Sequence, residues 1–270
     1  MVLCGDSQQL PPSLHSKQVI KYTGFNESLF VRLLHLGVPA IELDVEFASR
    51  ESLWQLVSSY YPGVKRVCEK DEYKRSNGCL RYDYQCVKCS EGANEEARYI
   101  VSFYQYLRLC GYEANRVSVL SNSEEQRDML RELFREECGK NPVFGLPNRI
   151  CTIDQYQDER NDIILMSMVD SEKSESMMDY RRWVVSSCAA RLGLYVFCDD
   201  NILEKCVKGQ SFSPLLLSRP TTLQLVENEY EPCERTVDEE VNSFEVVFIV
   251  LNNGIGFECN SFSSDCLLFL

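Results

Sequence analysis

Between residues 117 and 198, short apolar runs alternate with longer amphipathic segments, and few folds accept that rhythm. Residues 117–120 read as a strand and 124–138 as a helix closed by Gly139. Residues 150–153 and 162–169 read as strands, 179–190 as a helix and 194–198 as a further strand. Strands separated by helix-length connections predict a parallel, doubly wound α/β sheet. Upstream, 27–36 carries apolar residues at helical spacing and stops at Gly37. A strand is expected at 40–43, a helix at 51–61 ended by Pro62-Gly63, and a polar surface loop at 64–78. A strand at about 80–88 leads into a long helix over 95–109, capped by Gly111. Tyr99, Phe103, Tyr104 and Tyr106 share that helix with Ile100 and Leu107, which predicts core packing rather than a stacking platform. Residues 200–226 read as a short helix, a turn-rich run and an edge strand at 222–226. The remainder, 227–270, begins acidic, turns apolar at 244–251 and ends in mixed Ser, Asn, Cys and Phe. It is expected to be disordered or poorly packed.

Length and composition narrow the classes. With 270 residues, 44% apolar and 26% charged, the chain can bury the core of a globular protein. A net charge of −13 argues against nucleic acid until its distribution is considered. Residues 227–270 hold ten acids against Arg235, so the first 226 residues carry only −4 and can present a local basic groove. The acidic stretch itself reads as a solvated segment. Fourteen cysteines at irregular spacing, with no leader before them, read as reduced intracellular thiols. Only Cys86-x-x-Cys89, with Cys79 nearby, has metal-like spacing, and His15 and His35 lie far away. Because Cys86 and Cys89 fall in an apparent strand, they are read as small hydrophobes and no metal site is expected. No apolar stretch approaches the ~20 residues needed to cross a bilayer.

The richest local signal is Gly5-Asp6-Ser7-Gln8-Gln9-Leu10-Pro11-Pro12, which follows the strand-like run Met1-Val2-Leu3-Cys4. Gly5 permits a tight exit, Asp6 and Gln9 place a carboxylate and an amide just beyond the strand, and the prolines fix an extended turn. Downstream come Ser28-Leu29-Phe30, Gly37-Val38-Pro39 with Leu43-Asp44, residues 107–112, Pro147-Asn148, and Thr152-Ile153-Asp154 with Gln157. The series continues through Asn161 to Leu165, Arg181-Arg182, and the run from Arg191 to Phe197. In this order and spacing the chain resembles superfamily 1 helicases of the Upf1-like group, and within them the Aquarius-like, intron-binding spliceosomal RNA helicases. The resemblance covers roughly residues 3–225.

The resemblance implies a second RecA-like lobe, of P-loop NTPase type, at 26–226. It also implies a remnant of a first lobe at 1–25, ending with that lobe's last strand, and an unrelated tail at 227–270. By the same resemblance, Asp6 and Gln9 sense nucleotide and Arg191 touches phosphate, the three carrying catalysis. Gly5, Arg50 and Gln126, with Arg191, belong to the cofactor side, while Thr152, Asp154 and Gln157 face RNA. It implies ATP and Mg²⁺ in an intact relative, intron or pre-mRNA and spliceosomal proteins as partners, no membrane, and a nuclear address.

The chemistry departs from the family pattern at several points. No G-x-x-x-x-G-K-[ST] loop is present, so the chain reads as a fragment or truncated product that needs a first RecA-like lobe for activity. The family's Gln-x-Arg pair is replaced by Glu46 and Ala48, with Arg50 following. Gln126 is kept, but Ser123 stands where the family has Tyr. A Gln-Gly becomes Gln157-Asp158, and the first arginine of the sixth motif, the arginine finger, becomes Ala189. Such a finger contributes about 10³–10⁵ in turnover in related phosphoryl-transfer systems. The chain alone is therefore expected neither to bind ATP tightly nor to hydrolyse it. Alternative roles for the retained residues are turn capping by Asp154 and Gln157 and a carboxylate pair for Arg191. At the level of the whole chain, the alternatives are an inactive scaffold binding RNA or protein, or a relic without a stable product.

Overall fold

The computed structural model describes residues 2–14, 16–67, 82–89, 92–169, 179–199 and 213–223. Two short helices come first, α1 (Lys17–Thr23) and α2 (Leu29–His35). Each is started by a serine: Ser16 and Ser28 accept from the backbone N–H groups of Val19 and Val31, satisfying donors the helix cannot. A two-residue parallel pair, β1 (Val45–Glu46) and β2 (Lys65–Arg66), brackets α3 (Glu51–Val57).

The main sheet has five strands: β3 (Tyr84–Lys88), β4 (Val117–Ser121), β5 (Arg149–Thr152), β6 (Asn161–Ser167) and β7 (Ala190–Cys198). Every pairing is parallel, in the order β3-β7-β6-β4-β5. Parallel strands need covered faces, and both are covered here. On β6, Ile163 and Leu165 join one core layer with α4 (Ala93–Leu109) and α5 (Glu124–Glu137). Ile164 and Met166 join the other, with α3 and α6 (Tyr180–Ala189). The α4 aromatics pack as expected: the Phe103 ring lies 5.1 Å from Tyr195 and 5.9 Å from Phe197, and Tyr104 lies 5.1 Å from Phe134. Each such pair adds about 0.5–1.5 kcal/mol beyond the area it buries.

Several boundaries differ from the sequence reading, and for the strands the reason recurs: a strand needs a hydrogen-bonding neighbour. Residues 2–5 form no strand, and Val2 is exposed. The stretch 40–43 is not a strand either; Ile41 and Leu43 face solvent, and pairing starts only where Lys65 and Val67 donate to the Asp44 and Glu46 carbonyls. The helix expected at 51–61 stops at Val57 and tightens to a 3-10 turn over Ser58–Tyr60. Residues 220–222 do cover the β3 edge, through Lys88 N–H to the Thr221 carbonyl (2.8 Å) and the Gln85 amide to Pro220 (2.7 Å), but without strand geometry. Most of the expected loop at 64–78, the rest of the 222–226 edge strand and the tail at 227–270 lie outside the described residues.

One buried acid locks the exit of β6. Oε1 of Glu96 accepts from Ser167 Oγ (2.5 Å) and from the N–H groups of Met168 (3.1 Å) and Val169 (3.3 Å). Burial nevertheless dominates and pushes its carboxyl up to about 8, against the lowering effect of those donors. With all three donors on Oε1, Oε2 is left to carry the proton. Because the folded pKa lies above the unfolded one, the native state holds the extra proton, and stability falls as pH rises from about 4.5 to about 8. Glu96→Gln keeps the Oε1 acceptor and cannot titrate. Relative to wild type, it should gain stability steadily across that window in urea denaturation; a pH-independent difference would contradict this.

Candidate functional site

The chain passes from α6 to β7 without a loop, Ala189 ending the helix and Ala190 opening the strand. Asn161 opens β6 at the same edge, so residues 158–160 and 188–189 meet at the amino ends of two adjacent strands. A cleft of about 130 Å³ lies there, lined chiefly by Gln9, Asp158, Glu159, Arg160, Cys188 and Ala189. Gln9 thus sits at the amino edge of this sheet rather than beyond the carboxyl end of a strand of its own.

The run around Asp6 is held by the lobe. Asp6 accepts from the Gln8 N–H (2.9 Å), the Gln9 side-chain amide (3.0 Å) and the Tyr61 hydroxyl (2.7 Å). Burial, Cys188 and that bond to Asp6 all raise the Tyr61 pKa, so the phenol stays a donor. Tyr180 donates to Gln8 (3.2 Å) and stacks on Tyr60 at 4.9 Å, while Leu10 packs against the core. A Cβ on Gly5 would lie 2.9 Å from the Phe30 ring, so close packing on α2 requires glycine there.

Charge in the cleft is mostly spent internally. Glu159 pairs with Arg149, and Arg160 pairs with Glu46 at 3.5 Å. Burial pushes the Cys188 thiol up to about 12; Arg160 opposes that rise and Asp6 and Glu46 reinforce it, so the group is not a thiolate at neutral pH. The two arginines expected on the cofactor side, Arg50 and Arg191, are engaged by carboxylates. Arg50 pairs with Asp83, which also accepts from Ser52 Oγ (2.6 Å), and its N–H donates to the Arg191 carbonyl. Arg191 lies 3.6 Å from Asp162, shared with Arg116 at 3.3 Å. These pairs are partly buried, and they hold orientation at the amino edge of the sheet.

A second group lies at the carboxyl edge. Ser123 caps α5 by accepting from the Gln126 N–H (3.2 Å), and the buried Gln126 amide donates to the Ala93 carbonyl (3.0 Å). Gln126 therefore ties α5 to α4. Thr152 is buried at the end of β5, and Asp154 follows on the 3-10 turn Ile153–Tyr156. Nη2 of Arg182 reaches both Asp154 oxygens (3.0 and 2.8 Å), and Nη1 reaches Asn122 Oδ1 (3.1 Å). The buried Nδ2 of Asn122 has no hydrogen-bond partner among the described residues. Gln157 is half-buried next to Asp158, on the strand of chain linking the two edges. The sequence reading did not single out Arg160, Cys188, Tyr61 or Asn122. Each is an ordinary residue whose role comes only from what the fold brings beside it.

A five-stranded parallel sheet in this order, flanked by helices on both faces, with polar residues at the strand ends, is the α/β architecture of a RecA-like helicase lobe. The family model described as an AAA domain matches residues 25–201, and the chain belongs to that family, among the helicases of the Upf1-like superfamily. It is 32% identical over 251 residues to the mouse (Mus musculus) RNA helicase aquarius, covering 87% of this chain and 17% of that protein. Against the pre-mRNA-splicing factor cwf11 of Schizosaccharomyces pombe it is 26% identical, covering 82% of this chain and 19% of the relative. The regulator of nonsense transcripts 1 homolog of Drosophila melanogaster is 24% identical, with 76% and 19% covered. The chain therefore spans less than a fifth of the length of these curated relatives.

Asp158 is the one described non-glycine residue with positive φ, at 65°. The departure from Gln-Gly thus keeps a left-handed backbone and adds a carboxylate. Aspartate tolerates that region, whereas a β-branched side chain does not. Asp158→Gly should leave stability within about 0.5 kcal/mol, and Asp158→Val should lower it by about 1–2 kcal/mol. Equal stabilities by denaturant titration would contradict the assignment of strain to this residue.

Proposed function

We propose that this chain is the C-terminal lobe of an Aquarius-type, ATP-dependent RNA helicase of pre-mRNA splicing, acting in the nucleus, and that alone it does not hydrolyse ATP. In this reading residues 1–25 belong to the junction with a first lobe, 26–226 form the second lobe, and 227–270 are an addition. RNA, of intron or pre-mRNA type, and spliceosomal proteins are its partners. The kinship with a helicase and a splicing factor supports the class. The surface supports a docking face for a first lobe: among the described residues, the exposed large hydrophobics cluster at 2–47, with Val67 and Leu146 the exceptions. Apolar exposure of that kind marks an interaction face.

One observation carries the catalytic part of the proposal. Of the described side chains lining the cleft only Arg160 is cationic, its charge is met by Glu46, and Ala189 offers none. The family implies ATP and Mg²⁺ in intact relatives, but the residues here do not fit a polyphosphate. Like charges about 4 Å apart repel by about 4 kcal/mol at an effective dielectric of 20, and Asp158 adds a carboxylate to a lining whose other charges, Glu159 and Arg160, are already paired.

A scaffold reading has its own support. The losses at Asp158 and Ala189 fall on the cleft and that at Glu46 falls on the partner of its Arg160, while both core layers remain buried. Phosphate release from ATP, with and without single-stranded RNA, separates these readings from an autonomous motor. Background rates in both conditions are expected; turnover that rises with RNA and disappears in Asp6→Ala would overturn the proposal. A saturable ATP titration would count against the scaffold alone. A cooperative melting transition is expected in either case.

A further inference from the structure

We infer that the cleft at the amino ends of β6 and β7 adjoins a built oxyanion site, and that its occupant is the protein's own Glu46 carboxylate. Three donors converge on one oxygen, Oε1 of Glu46. They are the N–H of Ala48 at 2.7 Å, the N–H of Ser49 at 3.2 Å, and Nη1 of Arg160 at 3.5 Å. Two successive backbone N–H groups with a guanidinium are the donor set that receives a phosphate- or sulfate-type oxygen. The acid they receive is not a casual surface group. Its side chain is only 17% exposed, and β1 fixes its backbone through the Val67 N–H to the Glu46 carbonyl (2.8 Å). Arg160 is 114 residues away in sequence, so the pair clasps the turn at 46–49 to the turn at 158–160.

The other charged groups around the cleft are committed or open to solvent. Glu159 is paired with Arg149, Asp6 is held by Tyr61 and Gln9, and Asp158 is exposed. Cys188 is a neutral thiol, so Glu46 is the near counter-ion of Arg160. A site filled in this way stays clasped without any ligand and refuses free anions. Removing the occupant opens it to a small tetrahedral oxyanion.

The test uses the full chain, inorganic phosphate as probe, and sodium chloride at matched ionic strength as control, read by calorimetric titration and by the thermal midpoint. Glu46→Ala vacates the donors and should bind phosphate at least about tenfold more tightly than wild type. Glu46→Ala combined with Arg160→Ala should return to the wild-type response. Glu46→Gln keeps a neutral oxygen in place and should fall between. Equal responses of wild type and Glu46→Ala, or a Glu46→Ala response that survives loss of Arg160, overturn the inference. Should Glu46→Ala not fold, Glu46→Gln decides: a gain over wild type supports the site and no gain overturns it. This inference does not rest on the splicing reading, since RNA-stimulated turnover and the phosphate response can each fail alone.

Discussion

Parallel pairing between β6 and β7 sets the position of nearly every residue that matters here. The register runs from Asn161 opposite Ala190 to Ser167 opposite Phe197, with an irregularity between Asn161 and Ile163. Across it β6 advances two residues while β7 advances three, so β7 carries an extra residue beside Arg191. Such a bulge re-aims a side chain, and Arg191 meets Asp162 at that point. Gly193 follows, where a Cβ would lie 3.0 Å from the Tyr195 ring. At the amino end this pairing brings Ala189 to Arg160; at the carboxyl end it carries Ser167 and Met168 to Glu96.

Around this frame the chain answers its charges from within. Arg160 takes Glu46, Arg149 takes Glu159, Arg50 takes Asp83 and Arg182 takes Asp154. A motor that cycles on a nucleotide needs cations left over for the phosphates, because preorganised positive charge is what stabilises the transferring group. Satisfying those cations with carboxylates favours a single conformation over a responsive one. The apolar layers show no matching loss, since the large side chains of both faces remain buried.

The sheet was legible in the sequence because strands buried on both faces leave continuous apolar runs too short for a helix, rich in β-branched and aromatic residues, as at 163–166 and 194–197. The helix limits at Gly139 and Gly111 were legible for a similar reason: each glycine follows the last helical turn closely. Residues 2–5 and 40–43 misled because apolar composition does not supply a neighbouring strand. The motif run gave Asp6, Gln9 and Arg191 related roles by resemblance, yet pairing cannot be read from residue types. Nothing in the letters said that Arg50 would meet Asp83 or that Gln126 would bond Ala93. Arg160 escaped notice because its importance lies in a partner 114 positions upstream.

If β6 and β7 are the frame on which the lobe stands, their amides must be the last to open. Native-state hydrogen exchange on the intact chain measures this directly. The account predicts that amides at 163–167 and 194–197 exchange most slowly, and only through global unfolding, well after those of α1 and α2. Exchange of the β6 and β7 amides as fast as that of the two N-terminal helices would contradict it.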